Sequence, residues 1–417
     1  MDCGNELKRL GLREGCIKNK EYKNKYFFAF LIGITCVFSI FYARYSTYSE
    51  SRSTGDIQKH TLVAEALFED NVDDDNPFFP KHAYAYPAYH FSQKIVRFVL
   101  CVDYETAAAF VLTGSIIIAV LLYRQLALMI MWEGAVCNRY LADLLAIGSV
   151  LFETARCPLN DWRYYQLQCA ANPFHNPTII FVRPFAIASF IFFNQYVKTY
   201  ELGNRYKYAV LFSITTLFSV SAKPSYAIVF LPSMGIYTLY YVIWNRRWKF
   251  AVEAFIAVLP SLILLILQQG WMSAHTEAVN MRIKFGFFWE QTEFCTWQEL
   301  LHAVLGASIV TFPVVILLFR IYFMRKDSFY AISIIALAIG WFQMFFLTTG
   351  IAGDFSWGYD LAVQFATLIS LSEIEWHNDC RRKRRFVNYA AYGIFGYQII
   401  TGIRYLWLIY TTDAFWI

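Results

Sequence analysis

Ten residues carry side chains that could do chemistry in this sequence: Asp56, His60, Tyr86, His90, His175, Asn176, Arg183, Lys223, Asp354 and Trp357. A carboxylate can take a proton from a hydroxyl, and an imidazole can pass one on near neutral pH. Arginine grips phosphate oxygens with two parallel N–H bonds, whereas lysine offers a point charge. The spacing sorts these residues into groups. Asp56 and His60 are four apart in Gly55-Asp56-Ile57-Gln58-Lys59-His60 and share a face if that segment is helical. Tyr86-Pro87-Ala88-Tyr89-His90 closes an aromatic and histidine stretch that begins at Pro80. His175-Asn176-Pro177 has turn chemistry, with Pro177 suited to the first turn of a following helix. Arg183 then lies roughly 9 Å into that helix. Lys223-Pro224 fills a tight turn, and Asp354 and Trp357 belong to the glycine-rich run from Gly350 to Gly358.

The elements that must position these residues are apolar. Of 417 residues, 58% are hydrophobic, 19% aromatic and only 16% charged. An ordinary soluble domain has about 25% charged residues. A chain of this size cannot hide so much apolar surface in one or two aqueous cores, which argues against a soluble enzyme or a disordered protein. The apolar runs are continuous instead of alternating, so they read as helices and not as barrel strands. Spans are expected near Tyr26–Tyr45, Ala107–Met131, Tyr140–Ala155, Pro177–Val197, Tyr206–Ala222 and Ser225–Trp244. Further spans are expected near Ala251–Leu267, His302–Met324, Ser328–Thr348, Gly358–Glu373 and Asn388–Tyr410. The expected fold class is all-α, a polytopic transmembrane bundle of about 11 helices.

Charge placement orients this bundle. The net charge is +5, but half of the 36 Lys and Arg fall in four clusters: residues 1–25, Arg246/Arg247/Lys249, Arg320/Arg325/Lys326 and Arg381 to Arg385. Counting spans puts all four on the side of the N-terminus, which the positive-inside rule makes cytoplasmic. The balance therefore implies no nucleic-acid partner. The expected organisation is a basic cytoplasmic segment (1–25), a first transmembrane helix (26–45), an extracytoplasmic loop with amphipathic helices (46–106) and a multi-helix membrane region (107–417). The first apolar stretch exceeds a signal-peptide core and lacks a small-residue cleavage site, so it reads as a retained anchor. The nine cysteines have no Cys-x-x-Cys or zinc spacing; Cys157 and Cys169 share one loop, and whether they pair is open.

The unusual polar residues thus gather on the outer face. The loop 46–106 carries ten acids, of which Asp73-Asp74-Asp75 reads as a solvated break. The segment Thr61 to Phe68 is expected to continue an amphipathic helix along the membrane surface. An ionisable group facing a membrane interior is a functional hypothesis by default. A transporter would place such groups at the midplane on broken helices within an internal repeat, and no repeat is apparent.

This layout resembles the GT-C superfamily, membrane glycosyltransferases that use lipid-linked sugars. The resemblance rests on Asp56 in the first outer loop, on Tyr86-Pro87-Ala88-Tyr89-His90, and on the segments around His175, Lys223 and Asp354 to Tyr359. It implies transfer of a sugar from a polyprenyl phosphate or diphosphate to a glycan, lipid or protein acceptor, at the plasma membrane of a bacterium. Asp56 would be the general base. Arg183 and Lys223 would meet the leaving phosphate, and His60, His90 and His175 would orient substrate or share protons. Tyr86, Asn176 and Asp354 would border the substrate, with Trp357 stacking on a sugar ring. No cofactor is firmly implied, and a divalent metal is left open. Unlike many members, the chain has no second carboxylate beside Asp56.

Each residue also has a structural alternative. Asp56 can be a helix N-cap, Arg183 can snorkel to headgroups, Lys223 can anchor a loop end, His90 can sit amphipathically at the interface and His175 can belong to turn chemistry. Two other functions stay open: a repeat-unit polymerase of the O-antigen or capsule type, and a transporter or flippase for a lipid-linked glycan.

Overall fold

The computed structural model describes residues 27–40, 42–43, 56–68, 87–133, 138–152, 176–200, 205–275, 284–285, 311–323, 327–348, 355–377 and 385–411. Among these residues the chain is almost wholly helical, with thirteen helices. They are α1 (Phe27–Ile40), α2 (Asp56–Phe68), α3 (Pro87–Leu100), α4 (Tyr104–Glu133), α5 (Arg139–Leu151), α6 (Pro177–Thr199) and α7 (Arg205–Ala222). Then come α8 (Ser225–Asn245), α9 (Trp248–His275), α10 (Thr311–Phe323), α11 (Ser328–Phe346), α12 (Ser356–His377) and α13 (Arg385–Thr411). Two-residue strands, β1 (Lys284–Phe285) and β2 (Leu347–Thr348), pair antiparallel. Among the described residues, five helices are long and apolar enough to cross a membrane: α4, α6, α8, α9 and α11.

Local sequence sets the helix ends. Asn176 caps α6 by accepting from the Ile179 N–H at 3.3 Å, and Pro177 follows at the first helical position, where its missing N–H costs nothing. Asp103 caps α4 by accepting from the Thr106 N–H at 2.6 Å, after Cys101 turns the chain with φ 54°. Arg246 ends α8 in the left-handed region at φ 55°, a common helix stop.

Helix α6 is the axis of the bundle. It packs on α4 and α7, and 89% of its apolar window is buried. Helix α12 lies among α4, α5, α8, α11 and α13. Phe365 of α12 joins Phe190 of α6 and Phe230 of α8, with ring centroids 5.3 and 5.2 Å away. Ser149, Ser233, Ser333, Ser370 and Ser372 each donate back to the carbonyl four residues earlier, which satisfies their hydroxyls in apolar surroundings. Helix α9 lies at the periphery, with only 22% of its window buried.

Two glycines seat the start of α12. A Cβ on Gly358 would stand 2.7 Å from the Ser225 carbonyl oxygen, and one on Gly340 would stand 3.0 Å from the Tyr359 Cα. Such small residues let helix backbones approach closely. The starts of α8 and α12 therefore lie together, at what is here termed the head end.

Candidate functional site

The helix expected over Thr61 to Phe68 is present as part of α2. In α2, Ile57, Thr61, Val63 and Ala64 are buried, and the helix packs against α3, α4 and α6. It is α3 that is strongly amphipathic, and its Phe91, Ile95, Phe98 and Val99 are exposed. The apolar positions of α2 are spent on neighbouring helices, so α3 carries the free apolar stripe.

The seam between these two helices brings His60 and His90 together. Their Nδ1 and Nε2 atoms are 3.1 Å apart, a hydrogen bond in which one ring donates and the other accepts. His90 is wholly buried. Tyr89 beside it packs on Phe181 of α6 with ring centroids 5.6 Å apart, two residues before Arg183. Burial pushes the Tyr89 phenol well above its ordinary range, the nearby Gln93 side chain opposing the shift, so this group stays neutral. Asp56 is the first residue of α2, one helical turn before His60. The Asp56 side chain, Tyr86, His175 and Asp354 lie outside the described residues.

Arg183 does not snorkel. It is 1% exposed, and its Nη1 donates to the Val150 carbonyl oxygen in the last turn of α5 at 3.3 Å. Its Nε and Nη2 are buried without a hydrogen-bond partner. Its charge acts on Tyr123 of α4 and on Asp360 of α12, both buried. These two are linked by a relay. The Tyr123 hydroxyl donates to Gln364 Oε1 at 3.0 Å, and Gln364 Nε2 donates to Asp360 Oδ2 at 2.8 Å. Asp360 and Gln364 can share this face because they are one turn apart on α12.

Lys223 and Trp357 also meet. Lys223 Nζ lies 4.7 Å from the Trp357 ring, across the gap between the α7–α8 turn and the start of α12. Trp357 is 7% exposed, with its ring against the ammonium. Asn176, assigned to the substrate border by sequence, spends its side-chain oxygen on the α6 cap and on the Thr178 hydroxyl at 2.6 Å. Among the described residues no three His, Cys, Asp or Glu side chains form a metal-ligand cluster.

An apolar cleft of about 300 Å³ lies between α10 and α11. Thr311, Val315, Phe319, Leu337 and Trp341 line it, and Tyr359, the residue before Asp360, closes one part. The head end thus combines a buried cation with free donor atoms, a buried carboxylate and a cation–π pair. No protein-family model matches the chain, and comparison with curated proteins finds no match.

Proposed function

We propose that the chain is a membrane glycosyltransferase that moves a sugar from a polyprenyl-(di)phosphate donor to an acceptor hydroxyl on the extracytoplasmic face. The observation that carries this reading is Arg183, a fully buried guanidinium with two donor nitrogens unused. Such a charge is costly inside an apolar bundle unless something anionic meets it. The unused Nε–Nη2 edge matches two oxygens of a phosphate, and stabilising the leaving phosphate where water is excluded is worth most. The apolar cleft ending at Tyr359 suits a prenyl chain attached to that phosphate. The starts of α8 and α12 add the positive ends of two helix dipoles at the head end.

In this reading Asp56, at the start of α2, takes the proton of the attacking hydroxyl. The His60–His90 pair fixes α2, of which Asp56 is the first residue, against α3. The protein is a multi-pass component of the plasma membrane of a bacterium, with its N-terminus cytoplasmic and its head end outside.

The test is transfer by the purified chain in nanodiscs, with a panel of radiolabelled polyprenyl-phosphate sugars and Asp56→Asn alongside. The variant is expected to bind donor and to transfer nothing. Transfer at the wild-type rate would falsify the assignment of Asp56. Mass analysis of surface glycan from cells lacking the chain separates the classes. One missing sugar supports a transferase, whereas unpolymerised repeats or stranded inner-leaflet precursor count against it.

A further inference from the structure

The two buried charges at the head end do not satisfy each other. Arg183 acts electrostatically on Asp360, but its one hydrogen bond goes to Val150, and Nε and Nη2 have none. Asp360 takes its hydrogen bond from Gln364 instead. The relay has a fixed direction: the Tyr123 O–H donates to Gln364, whose N–H in turn donates to Asp360. Asp360 is therefore held as an acceptor, and the carboxylate oxygen not engaged by Gln364 is the one left to meet a further donor. A ligand suited to this pair carries an anion toward Arg183 and hydroxyl donors toward Asp360. A bare phosphate would satisfy the arginine and leave the Asp360 oxygen without a donor. A neutral sugar would satisfy the carboxylate and leave the guanidinium unmet. A sugar phosphate does both.

We infer that Asp360 is the sugar-recognition residue of the donor site, accepting ring hydroxyls while Arg183 holds the adjoining phosphate. This rests on the glycosyl-transfer reading above and adds to it a residue, a division of labour and a reason for selectivity. Gln364 and Tyr123 are positioning residues that orient the carboxylate. The plainer role for Asp360, a counter-charge that merely offsets Arg183, makes a different prediction. Neutralising a counter-charge changes every phosphate ligand alike. Neutralising a hydroxyl acceptor changes only ligands that carry the sugar.

The experiment measures binding to the full-length chain in nanodiscs. The probes are farnesyl phosphate and a panel of farnesyl-phosphate-linked hexoses and pentoses. At least one sugar-bearing probe should bind the wild type about 10-fold tighter than farnesyl phosphate, the scale of hydrogen bonds to a charged group. Asp360→Asn should erase that increment and leave farnesyl phosphate within about 2-fold, while Arg183→Gln weakens both classes. Gln364→Leu, which keeps the carboxylate but frees it from the relay, should lose part of the increment alone. This variant serves if Asp360→Asn does not fold. Equal weakening of both probe classes in the Asp360 and Gln364 variants overturns the proposal, as does a wild type with no sugar increment. Those outcomes leave the polyprenyl-phosphate site standing. A wild type that fails to bind farnesyl phosphate overturns that reading as well.

Discussion

Arg183 of α6 donates from Nη1 to the main-chain carbonyl of Val150, 3.3 Å away in the last turn of α5. The final carbonyls of a helix have no partner within it, so the arginine ties the end of α5 to the bundle axis. One corner of the guanidinium therefore has a structural task, and the other two nitrogens have none. Arg183→Lys separates the tasks, because an ammonium can reach a carbonyl but cannot present a planar fork. The melting temperature should stay within a few degrees of wild type, and sugar transfer should fall about 100-fold, as when an oxyanion-type donor is removed. Unchanged transfer with a lowered melting point would reduce Arg183 to a helix cap.

Most of the helical architecture is legible in the sequence, because long apolar runs leave a chain few alternatives. Each of the eleven expected spans overlaps a helix, and five of those helices have the length and hydropathy to cross a membrane. Arg183 is legible for the same reason, as a charge inside an apolar run. Asp360 is not singled out, although it stands inside the expected span Gly358–Glu373 and the same rule marks it. The glycines and Trp357 around it draw attention to the loop, while Asp360 and Gln364, one turn apart on α12, form the polar face. The placement of α2 is illegible for another reason. Its apolar positions call for a packing surface, and they do not name α3, α4 and α6 as the partners.

The seat of α12 depends on the absence of a side chain. A Cβ at Gly358 would lie 2.5 Å from Val229 Cγ2 and 2.7 Å from the Ser225 carbonyl oxygen. The valine methyl can turn away, but the backbone oxygen cannot. Gly358→Ala should therefore destabilise by about 1–3 kcal/mol, the usual cost of overpacking. It should also weaken donor binding, since Trp357, Tyr359 and Asp360 all follow the same backbone. Gly393→Ala, where nothing lies within 4 Å, is the control and should be neutral or slightly stabilising. Thermal unfolding of the three proteins in one detergent measures the difference.

Lys223 and Trp357, 134 positions apart in the sequence, meet as a cation–π pair at 4.7 Å. A double-mutant cycle with Lys223→Met and Trp357→Leu should give a coupling of about 0.5–2 kcal/mol, reflecting partial desolvation. If the pair only pins the α7–α8 turn to α12, the coupling appears in stability and not in donor binding. A role in holding a sugar or phosphate instead predicts the coupling in the dissociation constant for a sugar-bearing probe. Additive effects in both measurements would mean that the contact does no energetic work.

The end of α6 remote from Arg183 offers the complementary control. Lys198 forms an ion pair with Asp327 at 2.9 Å, and Asp327 also caps α11 by accepting from the Phe329 N–H at 2.9 Å. The Lys198 ammonium lies 4.5 Å from the Phe329 ring, so one lysine joins the ends of two helices by charge and by ring contact. Asp327→Ala loses the cap, typically about 1 kcal/mol, while the partly exposed ion pair adds a fraction of that. Asp327→Asn keeps a capping oxygen and loses only the charge, so it should recover most of the stability. Neither change should alter sugar transfer at saturating donor, because the phosphate and sugar contacts proposed for Arg183 and Asp360 lie at the head end. A fall in transfer that tracks loss of charge and not loss of stability would require a coupling along α6 between its two ends, and the division of the bundle into a reacting end and an anchoring end would then fail.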